Sequence, residues 1–239
     1  MNYRKLLIII SGILIFITGC SDFCMICSLN PFYLERNVIL TPELEGNWSA
    51  HPIQSKSDAK DKNSSHWEFA DTTSVWRINR YISKETMKTK QGKDSTVFRP
   101  QNYYLVRLTG TQSDTAKYQF QLHLFKIKGL MYADFSPRET AALQSSRMAK
   151  ENYFTVHTLA KVSIQNKQLM VSWLGHEYMK DMIEKKRVRI KYRYVPDAGR
   201  LLLTASPEEQ TNMIERYADE KRFIDWNDQP AMLKLTRIN

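Results

Sequence analysis

Cys20 has the neighbours that most narrowly define a chemistry. Ile17-Thr18-Gly19 stands directly ahead of it, and the two small side chains suit an extended backbone entering a peptidase groove. A cysteine sulfur is the nucleophile that can form a thioether with a lipid. A second pattern lies at Arg187, Arg189, Lys191 and Arg193, which alternate with Val188, Ile190, Tyr192 and Tyr194. Successive strand side chains point to opposite faces, so the spacing predicts the apolar set against a core and four basic groups in a row. Such a row suits anionic headgroups or an acidic protein partner; on an outer strand it also discourages edge pairing. A third candidate is His157 with Asp134, an acid–base pair of the kind hydrolysis needs. A strand histidine bonded to neighbouring backbone is the plainer reading of the same residue.

Other chemistries find less support. None of His51, His66, His123, His157 and His176 stands four residues from another histidine or beside a cysteine, so no metal is expected. Cys24-Met25-Ile26-Cys27 would suggest redox work only in a βαβ context, which the pattern lacks; it reads as a local disulfide or thiols in a linker. No nucleophile elbow, phosphate-cradling glycine loop or paired-carboxylate motif is present. The chain is therefore expected to be no enzyme and to carry no cofactor.

The elements that position these residues begin with a short head carrying Arg4 and Lys5, followed by an apolar run from Leu6 to Ile17. As a helix that run reaches about 18 Å, short of the roughly 30 Å hydrocarbon core a spanning helix must cross. It reads as a cleavable signal segment. Ile17 to Cys20 resembles the lipobox of bacterial lipoproteins, which implies a signal peptide over 1–19, a diacylglyceryl group on Cys20, and a lipidated tether over 20–43. Two or more acyl chains give stable attachment where one would not. The protein is expected in the bacterial cell envelope. Ser21, where an acidic residue would retain it, directs it to the outer membrane facing the periplasm.

The chain has 239 residues, 42% hydrophobic and 11% aromatic, with 8 glycines and 8 prolines, a balance that excludes collagen-like and disordered classes. Its formal charge is +10, and it stays basic without Arg4 and Lys5. Anionic partners follow from that; nucleic acid does not, given export. All three cysteines fall at positions 20, 24 and 27, so the body must hold by packing.

Period-two alternation dominates from Leu44 onward. Trp76, Ile78 and Ile82 share one face, as do Tyr118, Phe120, Leu122 and Leu124, after which the phase slips at Phe125 and Ile127 as at a bulge or barrel corner. Further strands are expected over 46–50, 65–70, 102–109, 129–134, 154–164, 167–174, 188–195, 200–204 and 231–237. Residues 51–65 and 84–96 read as loops. Ser206-Pro207-Glu208-Glu209 opens a helix with an N-cap, proline at its first position and a capping box, followed by an apolar stripe of Met213, Ile214, Tyr217 and Ala218. A shorter helix is expected over 176–186.

Gly46-Asn47-Trp48 opens the first strand in the G-x-W form of lipocalin-type barrels. With Phe120 to Ile127, Tyr132 to Pro137, Val156 to Val162 and Leu202 to Pro207, it resembles a family of lipocalin-like bacterial lipoproteins across roughly 44–235. The resemblance implies a mainly β fold: an antiparallel lipocalin-like barrel over 44–239 with a C-terminal helix and a second short one. An eight-stranded barrel is filled by its own side chains or holds one small ligand. Trp48, Trp67, Trp76, Trp173 and Trp226 either fill it or line a pocket. The expected function is binding or scaffolding in the envelope, toward a small apolar ligand or a protein partner; the alternative is an envelope hydrolase using His157 and Asp134.

Replacing Cys20 by serine should abolish lipidation and leave the signal segment uncleaved. Metabolic labelling with a palmitate analogue measures this, and equal labelling of both proteins would refute it.

Overall fold

The computed structural model describes residues 25–52, 74–88, 94–110, 116–138, 155–196, 200–218 and 232–238. The expected signal segment, Cys20, Cys24, the candidate strand over 65–70, Trp67 and Trp226 lie outside them. No described helix is long and apolar enough to cross a membrane.

Eight antiparallel strands close into a lipocalin-like barrel. They are β2 (Gly46–Pro52), β3 (Ser74–Lys88), β4 (Asp94–Gly110), β5 (Ala116–Ile127), β6 (Leu130–Pro137), β7 (His157–Gln165), β8 (Gln168–Trp173) and β11 (Met232–Ile238). Each pairs with the next, and β11 closes the ring by pairing with both β8 and β2. Two tight turns set the register. Lys128-Gly129 joins β5 to β6 and Asn166-Lys167 joins β7 to β8, all four residues at positive φ, as two-residue hairpins of matching twist require.

Between β8 and β11 the chain leaves the ring. It forms α1 (His176–Glu184), β9 (Tyr192–Val195), β10 (Arg200–Leu203) and α2 (Pro207–Tyr217). Ser206 caps α2 through the expected capping box with Glu209, and Met213, Ile214 and Tyr217 are buried. β9 pairs only with β10, which runs beside the short β1 (Cys27–Ser28), and β1 adds to the first residues of β7.

Two apolar clusters result. One fills the barrel: Trp48, Trp76, Ile78, Tyr104, Leu122, Leu124, Phe135, Val162, Val171, Trp173 and Leu235 belong to it. The other lies outside the wall, where Ile26, Phe32, Phe125, Ile127, Tyr132 and Leu159 meet the two helices. Strand β5 therefore buries Leu122 and Leu124 inward and Phe125 and Ile127 outward. The phase slip is not a bulge: β5 and β6 stay in register from Phe120 to Ile127. It records a wall covered on both faces, which removes the polar half of the alternation.

The covering layer is the segment before the barrel, where the tether was expected. Ile26 and Phe32 are wholly buried, Ile39 donates its N–H to Leu124 O at 2.8 Å, and the Tyr104 hydroxyl accepts from Thr41 N and donates to Thr41 O. The folded unit thus begins by Met25 rather than Leu44. The apolar residues of 26–39 form this face because β5 and β6 offer them a second apolar one.

Residues 84–96, expected as a loop, mostly extend β3 and β4. Among the described residues, 82–88 and 94–100 pair with each other alone, past the last pairings of β3 with β2 and of β4 with β5, as a ribbon projecting from the barrel end that carries the two tight turns. Their polar composition reads as a loop because no third element packs on them. Ile82 and Phe98 are more than half exposed. β1 sits at the other end, beside His157 and Thr158.

The G-x-W motif has a mechanical explanation. Gly46 adopts φ +134°, and a β-carbon there would stand 3.1 Å from the Arg237 guanidinium. That guanidinium lies over the Trp48 ring, 5.3 Å from its centroid, and donates to Glu45 O. Trp48 Nε1 donates to Leu44 O at 3.0 Å. Gly46→Ala should destabilise the fold by about 1–3 kcal/mol through backbone strain and displacement of Arg237. Urea unfolding measures it, and an unchanged midpoint would contradict this account.

Candidate functional site

The barrel interior is the first place a ligand would sit. Leu44, Trp76, Ile78, Leu122, Leu124, Phe135, Val162, Leu169 and Val171 surround a gap inside it that is too narrow to admit a water molecule. Trp48, Trp76 and Trp173 fill the interior. Rings Trp76, Phe135 and Trp173 meet edge-on or tilted at 5.7 to 6.2 Å between centroids, arrangements that add to area burial.

His157 and Asp134 do converge. Asp134 on β6 is wholly buried, and its Oδ1 lies 2.7 Å from His157 Nδ1 on β7. Register explains the meeting: Asp134 pairs with Leu159, and His157 stands two residues from Leu159 on the same face. That face is the outer wall, beneath the N-terminal layer. The second carboxylate oxygen accepts the Phe32 N–H at 2.8 Å. Both oxygens are thus engaged, one by the histidine and one by the backbone of the covering segment. The arrangement clamps that segment onto the wall, because an ionised carboxylate bonds an N–H about twice as strongly as a neutral acceptor.

A ladder of rings runs from the clamp across the wall. His123 is the cross-strand partner of Asp134. It stacks on Tyr33 at 4.5 Å and lies 5.2 Å from Tyr103, which stacks on Tyr81 at 5.1 Å. Arg138 caps the ladder, 4.4 Å above the Tyr81 ring and donating to its hydroxyl at 2.9 Å. Burial pushes the His123 imidazole below the 6.5 of a free one, outweighing the opposing charge of Asp134. Burial first, then Asp134 and Glu35, raises the Tyr33 hydroxyl well above its ordinary 10. Both shifts favour the neutral forms of His123 and Tyr33. Neither His123 nor Arg138 stands out in sequence; the one available signal was that His123 follows Gln119 and Gln121 on the outward face of β5.

The basic residues are placed differently from the expectation in one respect. Arg187, Arg189, Lys191 and Arg193 are all exposed, while Val188 is buried and Ile190 half-buried. The strand, however, begins only at Tyr192, and Tyr192 and Tyr194 are exposed rather than against the core. β9 is an edge strand hanging on β10, so no described element covers those rings. Lys191 Nζ reaches Glu209 Oε1 at 2.9 Å. The Ser206 N–H, then Lys191, hold that exposed carboxyl below its ordinary value. No carboxylate among the described residues pairs with Arg187, Arg189 or Arg193.

Cys27 is half-buried, with its sulfur 3.7 Å from Met25 O. Among the described residues no group of three His, Cys, Asp or Glu side chains could hold a metal ion. Comparison with protein-family models, curated proteins and solved structures finds no match to this chain.

The depressed His123 value has a signed consequence. Between that value and 6.5 the unfolded chain binds the extra proton, so stability rises with pH across the window and is lost as pH falls from 6.5. His123→Phe keeps the stack and removes the proton site. Urea midpoints measured from pH 5 to 7 should fall less steeply with acid in the variant; parallel curves would show that His123 is already exposed to protons.

Proposed function

We propose that this chain is a lipid-anchored protein of the bacterial envelope whose barrel is a solid scaffold, binding a partner through its outer surface rather than carrying a molecule inside. The packed interior is the observation that carries the scaffold half of this reading. A barrel that transports an apolar ligand must hold an empty or water-filled lumen of a few hundred cubic ångströms, whereas here aromatic and aliphatic side chains meet across the ring. The lipobox resemblance at Ile17 to Cys20 supports the anchored half and the export that goes with it.

The clamp geometry supports a positioning role for the Asp134–His157 pair. Hydrolysis would need the pair to open on a cleft with a nucleophile or an activated water; Asp134 instead lies wholly buried and bonds the Phe32 backbone. That assignment supports a non-enzymatic role. Outer features are available to a partner in its place: the projecting β3–β4 ribbon with its exposed Ile82 and Phe98, and the exposed basic segment around β9.

Native mass spectrometry of the protein purified from its host separates the scaffold from the carrier. The expected spectrum shows the chain with its covalent lipid and no small molecule at stoichiometric occupancy. A co-purifying apolar molecule would overturn the scaffold reading and require the barrel to open.

A further inference from the structure

We infer that the segment from Lys185 to Pro196, which ends in edge strand β9, lies against the anionic lipid surface to which the chain is anchored. The inference rests on the anchored reading above and names the surface and the orientation.

Three observations lead to it. The first is charge. Residues 185–200 hold seven basic side chains, Lys185, Lys186, Arg187, Arg189, Lys191, Arg193 and Arg200, against Asp197 alone. Asp181 pairs with Lys185 and Glu209 with Lys191, which leaves Arg187, Arg189 and Arg193 exposed and without a carboxylate among the described residues. The second is ring placement. Tyr192 and Tyr194 project from the same edge strand, 42% and 56% exposed. Tyrosine rings beside arginines are the composition of a membrane–water interface, where the ring sits at headgroup depth and the guanidinium meets phosphate.

The third observation is position. Cys27 pairs with Leu202, and Leu202 with Arg193. Arg193 therefore stands two strand spacings from Cys27, about 10 Å. Cys20 is seven positions upstream of Cys27, and seven residues reach at most about 25 Å. That length lets a lipid on Cys20 reach the surface beside β9. The ribbon of β3 and β4 projects from the opposite end of the barrel, so an anchored molecule that lays β9 on the bilayer holds the ribbon away from it. At an anionic surface each basic side chain favours contact by about fivefold, falling off within a Debye length.

The same molecule contains its own control. Lys84 and Lys88 on the ribbon are exposed like the basic residues near β9, so trypsin can cut at both ends. The mature protein is purified, its acylation is read from the intact mass, and it is reconstituted in vesicles of neutral phosphatidylcholine or of phosphatidylcholine with about one-third phosphatidylglycerol. At low salt, cleavage after residues 185–193, relative to cleavage at Lys84 and Lys88, should slow by about fivefold or more in the anionic vesicles. The protection should vanish at high salt. An unchanged ratio in acylated protein overturns the inference and leaves the anchor standing; it would turn attention to an acidic envelope protein as the occupant of this face. A mass without acyl chains overturns the anchored reading instead. Flotation of that unacylated chain with anionic but not neutral vesicles would then still support the surface, and failure to float with either would overturn it.

Discussion

The contact between Trp48 and Arg237 is the constraint on which the barrel depends. They are register partners across β2 and β11, the pair of strands that turns an open sheet into a ring. One wholly buried indole fills the interior at the seam, one guanidinium covers its outer rim, and the glycine two residues before the tryptophan leaves room for both. A closed ring has no free edge to shield. The two long faces of the wall can then be assigned separately, one to a dry interior and one to the N-terminal layer and helices.

That second face explains where the sequence was readable and where it was not. Ten of the expected strands lie in described regions and each overlaps an observed one, that over 188–195 only in its second half, because a half-buried strand writes its period into the residue types. Ser206 announced its helix for the same local reason: a cap is decided by the few residues around it. The failures share a different cause. Phe125 and Ile127 broke the alternation because both sides of β5 are covered, and the residues that cover them come from nearly a hundred positions upstream. Phe32 and Ile26 looked like a linker since nothing near them in sequence supplies the surface they pack on. Residues 84–88 and 94–96 looked like a loop since they have each other and no core.

The site was legible in its residues and illegible in its use. His157 and Asp134 were identifiable as neighbours in chemistry, and strand register does bring them to 2.7 Å. Their consequence turns on the Phe32 N–H, a backbone group that no residue type advertises. The basic residues 187–193 were visible as a pattern, and their exposure agrees with it. The exposed rings of Tyr192 and Tyr194 follow only from β9 having one neighbour instead of two.

Closure at the seam also sets an order of events for the chain. The Glu45–Arg237 bond joins groups 192 positions apart, and the ring closes only when its first and last strands meet. Until then β2 and β8 each present an unsatisfied edge, and the rim of Trp48 lacks its cover. Contacts of such sequence separation form slowly, since the entropy of bringing the ends together is lost before any pairing rewards it. The open intermediate has the features of an aggregating species, namely bare edges beside an apolar trough. A chain held at a surface by its first residues would spend that interval isolated from its copies, and the lifetime of the unclosed ring, rather than the stability of the closed one, would then govern how much of it reaches the folded state.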